Sequence, residues 1–359
     1  MSGIACPSLA DLPTPPPGKT GWPWTEESPR LPATMPDGSP WPLLSIVTPS
    51  FRQAQFLEET LRSVLLQGYP NLEYIVEDGG SQDGSVEIIQ KYARWMASWV
   101  SEKDRGQSHA INKGVAKATG EIVAWINSDD PFLPGAFGRA ILALKANQRA
   151  ALIYSDGRWI DEHGGLIKIQ HTGPLDLAGL ISGATSGIPQ PTTFMRLAAW
   201  RAIHGLDESL HMAMDFDLWV RFALEYPLAY LAGEPLAALR FHSSQKTQTR
   251  ELEGRLLDIA IIERTLRDPR CPASVSLRGN RNYATNCYFL AELFLNQKRD
   301  LANALVYFGK ALNSQPLATL RFTIIRTILR AYHALVPPAL QARMRRLRGT
   351  DLTKQGGAA

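Results

Sequence analysis

Residues 43 to 154 of this 359-residue chain read as an α/β domain on a mainly parallel, Rossmann-like sheet, followed by a less regular half and a C-terminal all-helical extension. Three observations predict this. Apolar runs of strand length alternate with stretches of helical period, which is the pattern of βαβ units. The run Ile122-Val-Ala-Trp-Ile126 is continuous and bounded by Gly120 and Pro131, as expected of a buried strand, and it stops at two carboxylates, Asp129 and Asp130. The loops that follow successive strands bring further acids to one edge of the sheet, the edge where the crevice of an open parallel sheet takes ligands.

In chain order, Leu44 to Thr48 reads as a strand, Gln55 to Gln67 as a helix with Leu57, Leu61, Val64 and Leu65 on one face, and Leu72 to Glu77 as the second strand. Gly84 to Ala97 reads as a helix, Trp99 to Glu102 as a short strand, and Gln107 to Ala118 as the helix that leads to Ile122. The connecting loops hold Thr48-Pro-Ser-Phe51, then Glu77-Asp-Gly-Gly-Ser-Gln-Asp-Gly84, then Glu102-Lys-Asp-Arg-Gly106, and finally the Asp129-Asp130 pair. Glycines in the second of these permit a tight turn that aims Asp78 into the crevice. Two hard oxygen ligands beyond Ile126 suit a Mg²⁺ or Mn²⁺ ion carrying a diphosphate. A turn that caps the next helix suits Asp-Asp-Pro131 equally well.

The second half is less regular. Ala151 to Tyr154 reads as a strand, Arg158 to Ile169 as a hairpin turning at His163-Gly-Gly165, and Gly187 to Phe194 as a Pro- and Gly-rich approach to a strand. His211 to Glu225 reads as a helix in which Asp217 and Arg221 stand at i and i+4, so a helix-stabilising ion pair accounts for Asp217. Asp215 has no such partner and is either a dipole partner at the helix start or a positioned base. Ala237 to His242 reads as a strand that ends on a histidine. From about Gln245 the chain is helical, and Tyr288, Ala291, Leu295, Ala304, Phe308, Ala311 and Pro316 fit one tetratricopeptide-like helix pair, expected to dock on the main domain as a hairpin. Leu317 to Val336 is apolar but interrupted by Arg321, Arg326 and Arg330. Such a helix either lies in a membrane interface with its arginines snorkelling or packs on the preceding hairpin. The expected divisions are a Pro-rich arm at 1–42, a main domain at 43–247, a helical extension at 248–340 and a basic, disordered tail at 341–359.

Composition narrows the class. With 45% hydrophobic and 20% charged residues the chain is ordinary for a globular protein, and a net charge of +4 is too mild to argue for nucleic acid. Residues 1 to 42 hold eleven of the 25 prolines, so they lack backbone donors and any period, and an extended arm pinned by Trp22, Trp24 and Trp41 is expected. Cys6, Cys271 and Cys287 are odd in number and far apart, which fits neither a disulfide framework nor a metal knuckle. With no secretory signal pattern and no long uncharged apolar run, a cytoplasmic protein is expected. Arg343, Arg345, Arg346 and Arg348 form either a solvated tail or a peripheral contact with the anionic inner face of a membrane.

With these residues in view, the stretch from Leu43 to Thr247 resembles the family 2 glycosyltransferases, whose fold is the nucleotide-sugar-binding glycosyltransferase A type. Five motifs in family order carry the resemblance: Ser45-Ile-Val-Thr-Pro-Ser, Val76-Glu-Asp-Gly-Gly-Ser-Gln-Asp-Gly, Ser101-Glu-Lys-Asp-Arg-Gly-Gln-Ser, Trp125-Ile-Asn-Ser-Asp-Asp and Met214-Asp-Phe-Asp-Leu-Trp-Val-Arg. The resemblance implies a nucleotide-sugar donor held by Thr48, Pro49, Ser50, Asp78, Asp104, Asn127 and Asp129. It implies a Mg²⁺ or Mn²⁺ ion on Asp129, Asp130 and His242, Gln190 and Pro191 on the acceptor side, and Asp215 as general base of a single inverting displacement. A hexosyltransferase is implied, with a UDP-sugar as the commonest donor and a saccharide or lipid-linked acceptor, in polysaccharide or glycolipid synthesis for the cell envelope. Asn127 stands where the first acid of an Asp-x-Asp motif is usual, which moves the metal onto Asp129 and Asp130. Met214 stands where a glutamate often precedes the base, and Arg52 where an asparagine is common. A sugar-phosphate nucleotidyltransferase would need a glycine-rich loop after the first strand, which this chain lacks. A non-catalytic nucleotide-binding platform is the other rival, and the retention of Asp78, Asp104, Asp129 and Asp215 argues against it.

Overall fold

In the computed structural model, which describes residues 3–182, 187–243, 250–317, 319–321 and 323, strand β1 (Leu44–Ser50) is buried along its whole length and its side chains serve two cores. Leu44 and Ile46 enter one apolar cluster and Val47 the other. The same division holds in β4 (Ile122–Trp125), where Ile122 and Ala124 face the first cluster and Val123 and Trp125 the second. Side chains of a strand alternate between faces, so a run apolar on both faces marks a sheet covered on both sides. That is why Ile122 to Ile126 carries no polar residue.

Seven strands form the main sheet in the order β3-β2-β1-β4-β8-β5-β9. Besides β1 and β4 these are β2 (Leu72–Asp78), β3 (Ser98–Ser101), β5 (Leu152–Ser155), β8 (Phe194–Arg196) and β9 (Leu228–Leu231). All neighbours are parallel except at β8, which runs antiparallel to both β4 and β5. The order reverses between β1 and β4, which makes that gap the switch point where a crevice opens. A second sheet of three strands, ordered β10-β6-β7, comprises β6 (Gly157–Ile160), β7 (Leu166–Gln170) and β10 (Ala238–Arg240).

Helices cover both faces. The first cluster lies under α1 (Ala54–Leu65), α2 (Ser85–Tyr92) and α4 (Ala136–Ala146), and the second under α3 (Gln107–Lys117), α6 (Leu197–Ala202) and α7 (Met214–Glu225). The short α5 (Leu177–Ser182) adds to the second cluster, with Leu180 buried there. α3 lies so close to β1 that a Cβ at Gly114 would stand 2.5 Å from Val47 Cγ1.

The Pro-rich segment wraps this body. Ile4 and Leu72 exchange backbone hydrogen bonds of 2.9 and 2.8 Å, and the indoles of Trp22 and Trp41 donate to the Phe132 and Pro32 carbonyls. Proline removes donors but keeps carbonyls, and the fully buried Arg62 of α1 takes three of them, at Pro13, Pro23 and Trp24.

The chain divides into two compact units, residues 1–279 and 280–359. The first ends with α8 (Glu251–Arg267) and the start of α9 (Ala273–Leu293). In the second, α10 (Leu301–Ser314) is capped by Asp300, whose carboxylate accepts the Asn303 amide at 3.0 Å. Phe294 and Tyr307 stack there at 5.5 Å. Of the positions expected in the helix pair, Tyr288, Ala291, Ala304 and Ala311 are buried and Phe308 is half-buried, while Leu295 and Pro316 are exposed. Most of the apolar stretch expected from Leu317 to Val336 and all of the tail at 341–359 lie outside the described residues. No helix among the described residues is long and apolar enough to cross a membrane.

Several boundaries differ from the sequence expectation. β1 runs two residues past Thr48, paired with β2 as far as Ser50 opposite Asp78. α7 starts at Met214 rather than His211, because Ala213 takes a left-handed conformation with φ of 55°. The sequence reading passed over α4, α5, α6 and β9. Of these α5 and α6 are only six residues long, and β9 is half-buried throughout, so it shows no alternation.

Candidate active site

A cleft of about 650 Å³ opens at the switch point, lined by Pro49 to Gln53, Gly79, Lys103, Asp104, Gly106, Gln107, Ala110, Asn127 to Asp130 and His242. The ends of β1, β2, β3, β4 and β10 all contribute. The local folding of each loop decides which side chains reach it.

At the end of β1 the two-residue extension moves the cleft wall. Thr48, expected to hold the nucleoside, is buried and its hydroxyl lies 3.0 Å from the Tyr74 hydroxyl, so the wall begins at Pro49 and Ser50. Among the described residues the buried Ser50 Oγ has no hydrogen-bond partner, which is costly unless a ligand supplies one. Phe51 is 54% exposed, with the Arg52 guanidinium 5.0 Å from its ring centre.

Asp78 does not point into the crevice as expected. Its carboxylate accepts from the Gly80 and Ser81 amides at 3.0 and 2.8 Å and from the Ser81 and Ser101 hydroxyls at 2.6 and 2.7 Å. A short acid after a strand closes on its own loop, as aspartate does in Asx turns. The loop is held so that a Cβ at Gly79 would stand 2.8 Å from Asp104 Oδ2. Asp104 does reach the cleft, and its other oxygen accepts the Gly106 amide at 2.8 Å.

Beyond β4 the two acids part. Asp129 Oδ2 lies 3.0 Å from His242 Nε2, and both side chains are largely buried. Asp130, expected as a second metal ligand, turns to β10, where it accepts the Arg240 amide at 2.8 Å. Burial and the adjacent Asp129 charge raise its pKa well above the usual carboxylate range. Among the described residues no three His, Cys, Asp or Glu side chains converge as a metal cage. Asn127 bridges the site, accepting from Gln107 at 2.7 Å and donating to Gln190 at 3.0 Å, while Gln190 donates to the Trp125 carbonyl. Gln190 and Pro191, expected on the acceptor side, are thus buried in a short 3₁₀ turn (Gln190–Thr192) behind Asn127. Residues 183–186 of the expected acceptor loop lie outside the described residues.

Sequence reasoning missed Arg240. Its side chain, 1% exposed, donates to the Asp129, Asp161 and Glu162 carbonyls and pairs with Glu59 at 2.7 Å. A charged residue inside the apolar run that leads to His242 was the available signal. Lys103 and Gln107 were missed too, since neither type stands out in a loop.

Asp215 stands in the first turn of α7, beside the cleft wall rather than in its lining. Ser108 of α3 donates to the Leu210 carbonyl at 3.1 Å and the Met214 sulfur at 2.8 Å, one residue from cleft-lining Gln107 on one side and from Asp215 on the other. Burial raises the Asp215 pKa, opposed by the Phe216 amide. Asp217 pairs with Arg221 at 2.8 Å, as its spacing predicts, and also with Arg264.

Residues 45–186 match the sequence profile of Glycosyl transferase family 2. An uncharacterized glycosyltransferase of Mycobacterium tuberculosis is 30% identical over 185 residues, which span 51% of this chain and 70% of that protein. The chain belongs to glycosyltransferase family 2. S. aureus TarS, solved in complex with UDP-GlcNAc, superposes with a TM-score of 0.61 at 16% identity, over 77% of this chain and 82% of that one. The mannosyltransferase PcManGT of Pyrobaculum calidifontis, solved with GDP-Man and Mn²⁺, gives 0.53 at 18% identity over 88% of each chain. At such identities these neighbours establish the fold, which is the glycosyltransferase A type.

Proposed function

We propose that this glycosyltransferase is inverting and metal-dependent, and that it moves a sugar from a nucleoside diphosphate, UDP in the first instance, to a hydroxyl of a saccharide or lipid-linked acceptor. The observation that carries the reading is the meeting of Asp129 and His242 at 3.0 Å on the cleft lining, brought together from two different sheets. Asp129 and His242 would hold Mn²⁺ or Mg²⁺ there, as a carboxylate and an imidazole can. The ion supplies Lewis-acid stabilisation of charge on the departing diphosphate.

The chain's own residues do the rest. Phe51 offers a face to the base, Ser50 and Asp104 offer polar partners to the nucleoside, and Lys103 and Arg52 add positive charge to the wall. The chain from Asn127 to Gln190 fixes the floor beside Asp129. Asp215 takes the acceptor proton. A base with a raised pKa holds that proton better near neutral pH, and burial raises this one. In an inverting displacement the base lies across the sugar from the leaving group, which suits its delivery by α7 rather than by the strand ends that form the donor wall. Polysaccharide or glycolipid assembly for the cell envelope is the setting such chemistry serves.

The test is a thermal-shift panel of the full chain with UDP, GDP, dTDP and CDP, each with and without Mn²⁺ or Mg²⁺. A ligand at about 100 times its Kd stabilises the folded state by about 2.7 kcal/mol. The expected result is a shift for one nucleotide that requires the metal and disappears in Asp129→Ala. No shift with any nucleotide, in a protein that melts cooperatively, would replace the transferase reading with the non-catalytic platform.

A further inference from the structure

The three-stranded sheet has two unlike faces. Along β10 and just past it, successive side chains go to opposite sides. Arg240 and His242 go to the side of Asp129: Arg240 donates to its carbonyl, and His242 meets its carboxylate with the imidazole ring 4.9 Å from that of Phe56. Leu239 and Phe241 therefore belong to the other side. The strand register puts Trp159 of β6 opposite Leu239 and opposite Lys168 of β7, so these four residues share one face.

On that face the rings of Trp159 and Phe241 lie 5.6 Å apart and tilted by 32°, and the Lys168 ammonium stands 4.2 Å from the Trp159 ring centre. Phe241 is 42% exposed, Trp159 is half-buried and Lys168 is exposed. The Trp159 indole donates to Gln170 at 2.7 Å, which fixes its orientation on the sheet. A cross-strand pair that served packing alone would be covered, as Ile160 and Ala238 are in their cluster with Leu133.

Two links join the aromatic face to the cleft. Phe241 directly precedes the cleft-lining His242, and β6 runs parallel to β10, so both rings lie toward the end of the sheet that meets the cleft. On the same face Leu239 and Pro189 close over Gly157, where a Cβ would stand 2.8 Å from an atom of each. Pro189 leads into the turn whose Gln190 accepts from the cleft-lining Asn127.

We propose that this face is an acceptor platform, on which sugar residues behind the reacting one stack on Phe241 and Trp159. The assignment rests on the transferase reading and narrows its acceptor to a saccharide of several residues. A pyranose ring carries C–H bonds on its faces and hydroxyls around its edge, so its face packs on an aromatic ring while its edge needs polar partners. An exposed cation–π contact is weak, so Lys168 leaves the Trp159 face at little cost and donates to those hydroxyls. Two tilted rings with a cation beside them give successive sugars separate surfaces, whereas an acyl chain would need continuous apolar cover. Stacking of this kind reads ring faces rather than a hydroxyl pattern, so affinity should grow with acceptor length and tolerate a change of sugar.

The experiment is a saturation-transfer NMR titration of the full chain. The probes are tetrasaccharides of glucose, of mannose, of N-acetylglucosamine and of an alternating uronate–hexosamine repeat, each beside its methyl monoglycosides. Wild type, Trp159→Ala, Trp159→Phe and Phe241→Ala are compared, after each has been checked for cooperative melting and for a metal-dependent nucleotide shift. At least one tetrasaccharide should bind wild type more tightly than its monoglycosides. Trp159→Ala and Phe241→Ala should each loosen it about 3- to 10-fold, and Trp159→Phe should recover most of the loss. No binding of any tetrasaccharide overturns the platform, because stacking does not depend on one sugar. Undiminished binding to a folded Trp159→Ala overturns it too. Should Phe241→Ala disturb His242 and lose the nucleotide shift, the two Trp159 variants still decide.

Failure of the transferase reading looks different. A nucleotide shift without tetrasaccharide binding sinks the platform alone. Trp159-dependent tetrasaccharide binding without any nucleotide shift sinks the transferase reading, and the acceptor role with it. Self-association of wild type, or binding to phosphatidylglycerol vesicles, that Trp159→Ala abolishes while no saccharide binds would give the face to a second copy or a lipid surface and overturn the proposal.

Discussion

Replacing Arg240 by methionine tests whether the site depends on a buried cation that none of the family motifs contains. The guanidinium is 1% exposed, pairs with Glu59 at 2.7 Å and satisfies the carbonyls of Asp129, Asp161 and Glu162. Arg240→Met keeps much of the volume but leaves the largely buried Glu59 carboxylate and three carbonyls without their donor. Breaking a buried pair by removing one partner costs about 3–5 kcal/mol. For a unit of this size each kcal/mol moves the melting point by about 2–4 °C, so a fall of about 6–20 °C is expected. Arg240→Met/Glu59→Leu should recover part of the loss, because the orphaned carboxylate is then gone. The assay is differential scanning fluorimetry of the three proteins, repeated with the nucleotide and metal that stabilise the wild type. Because Arg240 also holds the Asp129 carbonyl, that ligand-induced shift should shrink in the single variant. A single variant melting within about 2 °C of wild type would refute the claim that this cation holds the Asp129–Asp130 turn.

Two further outcomes follow from the same geometry. Phe51 is 54% exposed on the cleft wall, and stacking of a base on an aromatic ring is worth about 1–3 kcal/mol, so Phe51→Ala should weaken nucleotide binding about 5- to 150-fold in calorimetry. The metal requirement should persist, and an unchanged Kd would remove the base from that ring. Cys6 sits in the wrapped N-terminal segment, where burial pushes its thiol up to about 12, so a thiol reagent at pH 8 should label the partly exposed Cys271 and spare Cys6 and Cys287 until the chain unfolds. Rapid native labelling of Cys6, read by mass spectrometry, would show that the segment does not hold its place.

The strand ends are legible because a doubly covered sheet writes itself as apolar runs, and the end of the run from Ile122 to Ile126 marks the cleft. Side-chain direction is not. Asp78 ends β2 and Asp129 follows β4, and both read as ligands, yet one folds back on its own loop and the other meets a histidine more than a hundred residues away. Local spacing could not separate them, since the difference lies in which partner is nearest: two amides and two hydroxyls for Asp78, a histidine just past β10 for Asp129. Thr48 was misplaced for a related reason. Proline reads as the end of a strand, but Pro49 continues β1 opposite Glu77, so the wall begins one residue later. Arg240 has a form that sequence does hold, a charge inside an apolar element, but its partners are not written there: Glu59 of α1 and the carbonyls of Asp129, Asp161 and Glu162 reach it from separate stretches of chain, and only packing brings them together.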